Sequence, residues 1–245
     1  MGLRCLGGSI PKKQFLVNAI TLRTTNGNSR PFHHRGTRAD LGVIAQMFKN
    51  EDYSLKRLRR GSELRAMVQA MPRPLIIDAG ANIGASVCWF ALNFPRTHVV
   101  AIEPDPGNFE LLKRNTEGLD VELHQAAIGA RDGRVQLVDP GQGEWGYRTA
   151  AADDGSVPML SMARIVAEKQ AAGYTPFICK IDIEGGEADL FTPPTDWVDP
   201  FPLMMVELHD WLMPGQGTSR SFLQCVAARD RDFVHLGENI FSIRN

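Results

Sequence analysis

Five polar residues late in the chain have types and spacing suited to chemistry: Lys180, Asp182 and Glu184 in KIDIEGGE, then Glu207 and His209 in MMVELH. Alternate residues of a strand point to one side, so each set presents its polar groups to a single face while the strand lasts. A histidine titrates near neutrality and suits the work of a base. Asp182 can orient a bound acceptor group, or join Glu184 and Glu207 in holding a divalent metal. Plainer roles compete with these. Lys180 and Asp182 can form a structural ion pair, Glu184 can cap a following helix, and His209 can be a surface side chain. His33, His34, His98, His124 and His235 have no such partner pattern and read as structural.

A second constellation lies upstream in LIIDAGANIG, residues 75–84. An apolar strand ends in Asp78, and a glycine-rich turn then opens a helix near Ala85. Gly80 and Gly84 let the backbone approach a ligand, and the helix start adds oriented N–H groups. Asn82 stands where a GxGxxG pattern has its second glycine, and no Lys-Ser/Thr pair follows. Both facts count against dinucleotides and nucleoside triphosphates. Glu103, in VVAIEP, ends the next apolar run, at the place from which an acid receives ribose hydroxyls. An adenosyl group bearing an amino acid meets these demands better than a nicotinamide dinucleotide does.

These residues need a sheet to hold them. Short apolar runs at Leu75–Asp78, His98–Glu103, Val121–Ile128, Phe177–Ile183 and Leu203–Leu208 alternate with amphipathic stretches. The latter lie near Ala85–Asn93, Pro106–Thr116, Ser161–Ala172 and Ser219–Arg229. The alternation predicts an α/β fold, a doubly wound and mostly parallel sheet covered on both faces. Ligands of such sheets bind at the carboxyl ends of the strands, so the five polar groups should converge there. Phe233–Leu236 and Ile240–Ile243 flank Gly-Glu-Asn and read as a closing antiparallel hairpin. Arg134–Val138 and GQGEWG read as an irregular insertion. Within it, Trp145 and Arg148 either stack on a sugar and grip an anion, or pack the insertion on the sheet.

Composition sets the bounds. The 245 residues are 43% hydrophobic and 22% charged, which excludes a disordered chain. No apolar run approaches the ~20 residues that cross a bilayer. Cys5, Cys88, Cys179 and Cys225 form no CxxC pair, so neither a disulfide framework nor a zinc knuckle is expected. The opening MGLRCLGGSIPKK lacks the apolar core of a signal peptide, and Leu6 breaks the myristoylation pattern, so a cytoplasmic protein is expected. The net charge of -1 hides a split: residues 1–75 carry fourteen Lys/Arg against four Asp/Glu, and residues 76–245 thirteen against twenty-four. The basic part, with Lys56, Arg57, Arg59 and Arg60, either docks on its own acidic domain or offers an anion-binding surface. No aromatic interleaving accompanies it, so nucleic acid is not an expected partner. Residues 1–73 read as a basic flank or lid with a short helix over Leu41–Phe48 capped by Asp40, and residues 74–245 as the ligand-binding domain.

Taken in order, RGTRADLGVIAQMF, IIDAGANIG, VVAIEPDPGNFELLKRN, AAIGARDG, KIDIEGGEADLF and MMVELH resemble the FkbM-type S-adenosylmethionine-dependent methyltransferases, from about Arg35 to Glu207. DAGANIG alone is shared across class I methyltransferases; the ordered set, KIDIEGGE above all, is more specific. The resemblance implies a seven-stranded, Rossmann-like sheet with a reversed final strand. It implies S-adenosylmethionine as cofactor, with Asp78, Gly80, Asn82 and Gly84 at its methionine end, Glu103 at its ribose, and Ala127 and Ile128 at the adenine edge. It also implies methyl transfer to a hydroxyl of a sugar or other small natural-product acceptor. For that reaction His209, Asp182 and Lys180 are the candidate catalytic groups, and Trp145, Arg148 and Glu207 the candidate acceptor contacts. Asp182, Glu184 and Glu207 could hold a metal such as magnesium, but no obligatory metal is expected. The basic stretch after Tyr53 is longer than the family pattern, and the segment over 35–60 is expected to cover the acceptor pocket and supply its charge. N- or carboxyl-methylation of another small molecule and a non-catalytic, cofactor-binding scaffold are the alternatives.

Overall fold

The computed structural model describes residues 17–138, 148–151 and 155–245. Trp145, Cys5 and the opening stretch lie outside them, and of Arg148 only the backbone is described. The chain starts with a hairpin of β1 (Asn18–Arg23) and β2 (Ser29–His34), followed by α1 (Arg38–Phe48), a 3-10 turn at Leu55–Arg57, and α2 (Gly61–Ala70). The βα alternation then begins with β3 (Pro74–Ala79), α3 (Ala85–Asn93), β4 (His98–Ile102), α4 (Pro106–Asn115) and β5 (Val121–His124). Four short strands follow: β6 (Ala127–Gly129), β7 (Gly133–Val138), β8 (Arg148–Ala151) and β9 (Val157–Ser161). The chain returns through α5 (Met162–Ala171), β10 (Thr175–Ile181), α6 (Glu187–Leu190), β11 (Leu203–Glu207) and α7 (Arg220–Ala227). It closes with β12 (Arg231–Leu236) and β13 (Asn239–Arg244).

The central sheet has seven strands in the order β5-β4-β3-β10-β11-β13-β12. Neighbours from β5 to β11 are parallel, and β13 runs antiparallel to both β11 and β12. This is the seven-stranded order, with one reversed strand near the end of the chain, that the resemblance implies. The order changes direction between β3 and β10, so their carboxyl ends open a crevice for ligands. Both faces of the sheet are covered, which is why the strands are apolar without polar alternation. Ile76, Val99, Ile178 and Met205 face one core with Trp89 and Phe90 of α3. Leu75, Ile77, Val100, Cys179 and Met204 face the other, with Met162 of α5 and Phe222 of α7. Cys88, Cys179 and Cys225 are free and buried.

The amino-terminal segment shares the first of these cores through Phe32, Leu55 and Leu64, all fully buried. Its basic residues meet acids of the same chain. Arg60 reaches Glu63 at 2.7 Å and Asp232 of β12 at 3.1 Å, and Arg57 lies 3.5 Å from Asp52. Two local expectations change. Thr37, not Asp40, caps α1 by accepting the Asp40 N–H, because the Asp40 carboxylate is taken up by the N–H and guanidinium of Arg35. The run Val121–Ile128 splits after His124: β5 ends the large sheet, whereas β6 pairs with β9 in a second sheet of order β6-β9-β7-β8. Arg134–Val138 is thereby part of strand β7 of that sheet, and GQGEWG lies outside the described residues. Among the described residues no helix is long and apolar enough to cross a membrane.

Candidate functional site

The glycine turn after β3 takes three left-handed residues in succession of alternate positions: Gly80 (φ 81°), Asn82 (φ 49°) and Gly84 (φ 89°). Its geometry answers to the fold itself. A Cβ on Gly80 would stand 1.8 Å from the Asp182 carbonyl oxygen, and one on Gly84 would stand 2.9 Å from Leu112 Cδ1. The N–H groups of Gly80 and Ala81 both donate to the Ile102 carbonyl, and Asn82 N–H donates to Glu103 Oε2 at 2.9 Å. The glycines thus serve close approach between strand exits and between α3 and α4, a role that the motif alone does not separate from ligand contact.

Glu103 follows β4 and is buried. Its Oε1 accepts the Asp105 N–H at 2.9 Å, so two backbone donors fix the carboxylate beside the turn. Burial pushes its pKa up to about 7 against the pull of those hydrogen bonds. Asp78 lies beneath the turn, fully buried, accepting the Ser86 hydroxyl at 2.6 Å and lying 3.0 Å from Lys180 Nζ. Lys180 also donates to the Gly80 carbonyl at 2.6 Å and stands 3.7 Å from Asp182. Burial opposes its charge, but Asp78 and Asp182 outweigh that and hold its pKa above the ordinary value. The closer ion pair of Lys180 is therefore with Asp78. Ala127 and Ile128 are buried in β6, in the second sheet.

The carboxyl ends of β10 and β11 bring the other predicted groups together. β10 stops at Ile181, so Asp182 and Glu184 leave on a turn, and Glu184 is itself left-handed (φ 54°). Gly186 sits at the start of α6 with no side-chain cap, so Glu184 is not the capping residue. His209 is only 1% exposed, and its Nε2 lies 3.5 Å from Asp182, 3.6 Å from Glu184 and 3.7 Å from Glu207. Its Nδ1 is 2.9 Å from Oε1 of Glu187, which is fully buried. Burial disfavours the imidazolium, but the Asp182 and Glu187 carboxylates beside the ring push the His209 pKa up to about 11. Burial and the Asp182 charge push Glu184 up to about 7 and Glu207 up to about 8. Asp182 is held below the ordinary range, because Lys180 and His209 together outweigh its burial.

Two participants escaped the sequence reading. Glu187 is the second acid of IEGGE, and only its burial against His209 reveals its place. Tyr53, from the amino-terminal segment, stacks on Phe90 with ring centroids 5.7 Å apart. Burial, then the charges of Asp182, Asp78 and Glu207, pushes its phenol well above the usual pKa, which puts it within electrostatic reach of the cluster. On the outer side Trp211 is 69% exposed, its ring 6.4 Å from that of His209. It heads a groove of about 460 Å³ shared with Leu208, Leu223 and Phe233.

Several known proteins are similar to this chain. A protein called methyltransferase 1 from Beauveria bassiana (strain ARSEF 2860) is 28% identical over 140 residues, 47% of this chain. The match spans 56% of that relative, little more than half its length. The O-methyltransferase TomG from Streptomyces achromogenes, solved with SAM, shares 16% identity over 85% of this chain and 91% of its own, with a TM-score of 0.45. An O-methyltransferase from Bacillus cereus, solved with SAH, shares 13% identity over 83% of this chain and 91% of its own, with a TM-score of 0.44. The methyltransferase FkbM domain matches residues 78–224, from the acid beneath the glycine turn to α7, and so takes in both halves of the site. With more than half of its length matched in this way, the chain belongs to the FkbM methyltransferase domain family.

Proposed function

We propose that the chain transfers a methyl group from S-adenosylmethionine to a hydroxyl of a sugar or other small natural-product acceptor. The observation that carries this reading is a juxtaposition at the switch point of the sheet. A buried acid beside a glycine turn and a histidine–carboxylate cluster stand at the ends of neighbouring strands. The first suits the cofactor: the two backbone bonds to Glu103 leave lone pairs for ribose hydroxyls, out of about four on a carboxylate. Bound there, the cofactor supplies an electrophilic methyl group on a positive sulfur.

The remaining work belongs to the side chains. Lys180, paired with Asp78, keeps the turn in place through the Gly80 carbonyl. Asp182 and Glu207 receive the hydrogen bond of the acceptor hydroxyl and hold its oxygen in line for attack. His209, which keeps its proton near neutral pH, balances the charge beside them. The role of proton acceptor therefore passes from His209 to Asp182, since a ring protonated on both nitrogens has no lone pair to offer. The groove under Trp211 suits the apolar face of a sugar ring or its aglycone. Trp145 and Arg148 join the reading as acceptor contacts from the insertion.

The test is a screen of sugars and other hydroxylated acceptors with S-adenosylmethionine, reading S-adenosylhomocysteine and a methylated product by mass spectrometry. Both should appear with hydroxylated acceptors. Turnover confined to amines or carboxylates would move the reaction to another atom. Cofactor binding without any S-adenosylhomocysteine would leave a scaffold.

A further inference from the structure

The carboxylate–histidine cluster has a spacing that hydrogen bonding does not explain. His209 Nε2 is 3.5 Å from Asp182 Oδ1 and 3.7 Å from Glu207 Oε1, beyond the ~2.7–3.2 Å of an N–H···O bond. One ligand atom each from Asp182, Glu207 and His209 lies within 4.8 Å of the other two. A small divalent cation with bonds of about 2.0–2.2 Å spaces its ligands at about 3–4.2 Å, which is the separation seen around Nε2. A second, independent feature points the same way. Nδ1 of this buried ring is anchored by the fully buried Glu187 at 2.9 Å, which leaves Nε2 as the nitrogen aimed at the carboxylates. A carboxylate behind the far nitrogen is the support that metal-binding histidines characteristically have.

We propose that Asp182, Glu207 and His209 form a binding site for one divalent cation of the Mn²⁺ or Mg²⁺ class. Two carboxylate oxygens and one imidazole suit a hard or borderline cation, and no thiol stands among the donors to favour a soft one. Glu184, although 3.6 Å from Nε2, is not part of the mutually spaced set. His209 thus takes the place that spacing along the strand suggests for Glu184. Binding would displace the proton from His209 Nε2, which frees its lone pair for the metal, and a cation held here would polarise an acceptor hydroxyl and ease the loss of its proton. That use rests on the methyl-transfer reading above, whereas the binding itself does not.

The test is titration of the full chain, stripped with EDTA and dialysed, with Mn²⁺ alone, following the free-ion signal by electron paramagnetic resonance. One Mn²⁺ should bind per chain, Mg²⁺ should compete for it, and Asp182→Asn and Glu207→Gln should each weaken it at least tenfold. Far-UV circular dichroism checks that the variants are folded; if Asp182→Asn is not, Glu207→Gln decides. No binding up to about 1 mM Mn²⁺, or undiminished affinity in the folded variants, overturns the site. Calorimetry with S-adenosylhomocysteine on the same stripped chain separates the two readings. A chain that binds S-adenosylhomocysteine but no Mn²⁺ loses the cation site and keeps the methyl-transfer reading, and the opposite result does the reverse.

Discussion

Gly80 has no room for a methyl group, and the obstacle is a backbone carbonyl rather than a yielding side chain. Alanine there would meet the Asp182 oxygen at 1.8 Å on top of a left-handed φ, which alone costs about 1–3 kcal/mol. At Gly84 the obstacle is the end of Leu112, which can swing aside. Urea denaturation should therefore rank wild type above Gly84→Ala and Gly84→Ala above Gly80→Ala; equal losses would mean that the strand exits move apart freely. Lys180→Met leaves Asp78 charged in a sealed site, and breaking a buried pair from one side costs about 3–5 kcal/mol. A loss under about 1 kcal/mol would mean that the Lys180–Asp78 pair does little to hold the fold. His209 makes stability depend on pH. Its folded pKa of about 11 lies above its unfolded value, so its contribution is complete below about pH 6.5 and is lost as pH rises towards 11. In the cation-free chain stability should fall from neutral to alkaline pH, and less steeply in His209→Gln. Equal slopes would mean that the folded ring is neutral.

Elements were legible where their signals are local. The helix over Ala85–Asn93 begins and ends where its apolar pattern does, and the βα alternation of the central sheet follows from runs that need no polar face. The cap of α1 was misplaced by three residues, because an acid near a helix start caps only when no other donor claims it, and Arg35 claims Asp40. The second sheet was hidden for a different reason: β6 and β9 pair across a long stretch of chain, and pairing partners leave no trace in either segment alone. At the site, Asp182, Glu207 and His209 were legible because they end neighbouring strands. Glu187 and Tyr53 arrive from other elements, where neither period nor motif singles them out. Asn115, at the end of α4, works in the same way. Its Oδ1 accepts His33 N–H at 2.7 Å while its amide donates to the carbonyls of His33 and Ile83. Asn115→Ala should cost about 1–3 kcal/mol through the groups left unpaired. It should also lower amide exchange protection at His33; unchanged exchange there would show that the hairpin is held elsewhere.

At the scale of the molecule, one sheet separates two cores, and the amino-terminal hairpin and helices belong to the first of them. Phe32, Leu55 and Leu64 would have to leave that core for the segment to open as a lid. Urea transitions followed by tryptophan fluorescence and by far-UV circular dichroism should therefore coincide. Two separated transitions would show that the segment unfolds on its own. The Asp182 N–H bonded to the Ala79 carbonyl at 3.1 Å, with its own carbonyl pressed against Gly80, clasps the two strand exits together. That clasp has a bearing on directed evolution. On the methyl-transfer reading proposed above, changes at 80 or 182 disturb donor and recipient sides at once, so few of them can alter selectivity without harming the whole. Trp211, Leu223 and Phe233 stand outside the clasp on exposed surface, and on the same reading a library that retargets the chain to a new acceptor belongs at those three positions.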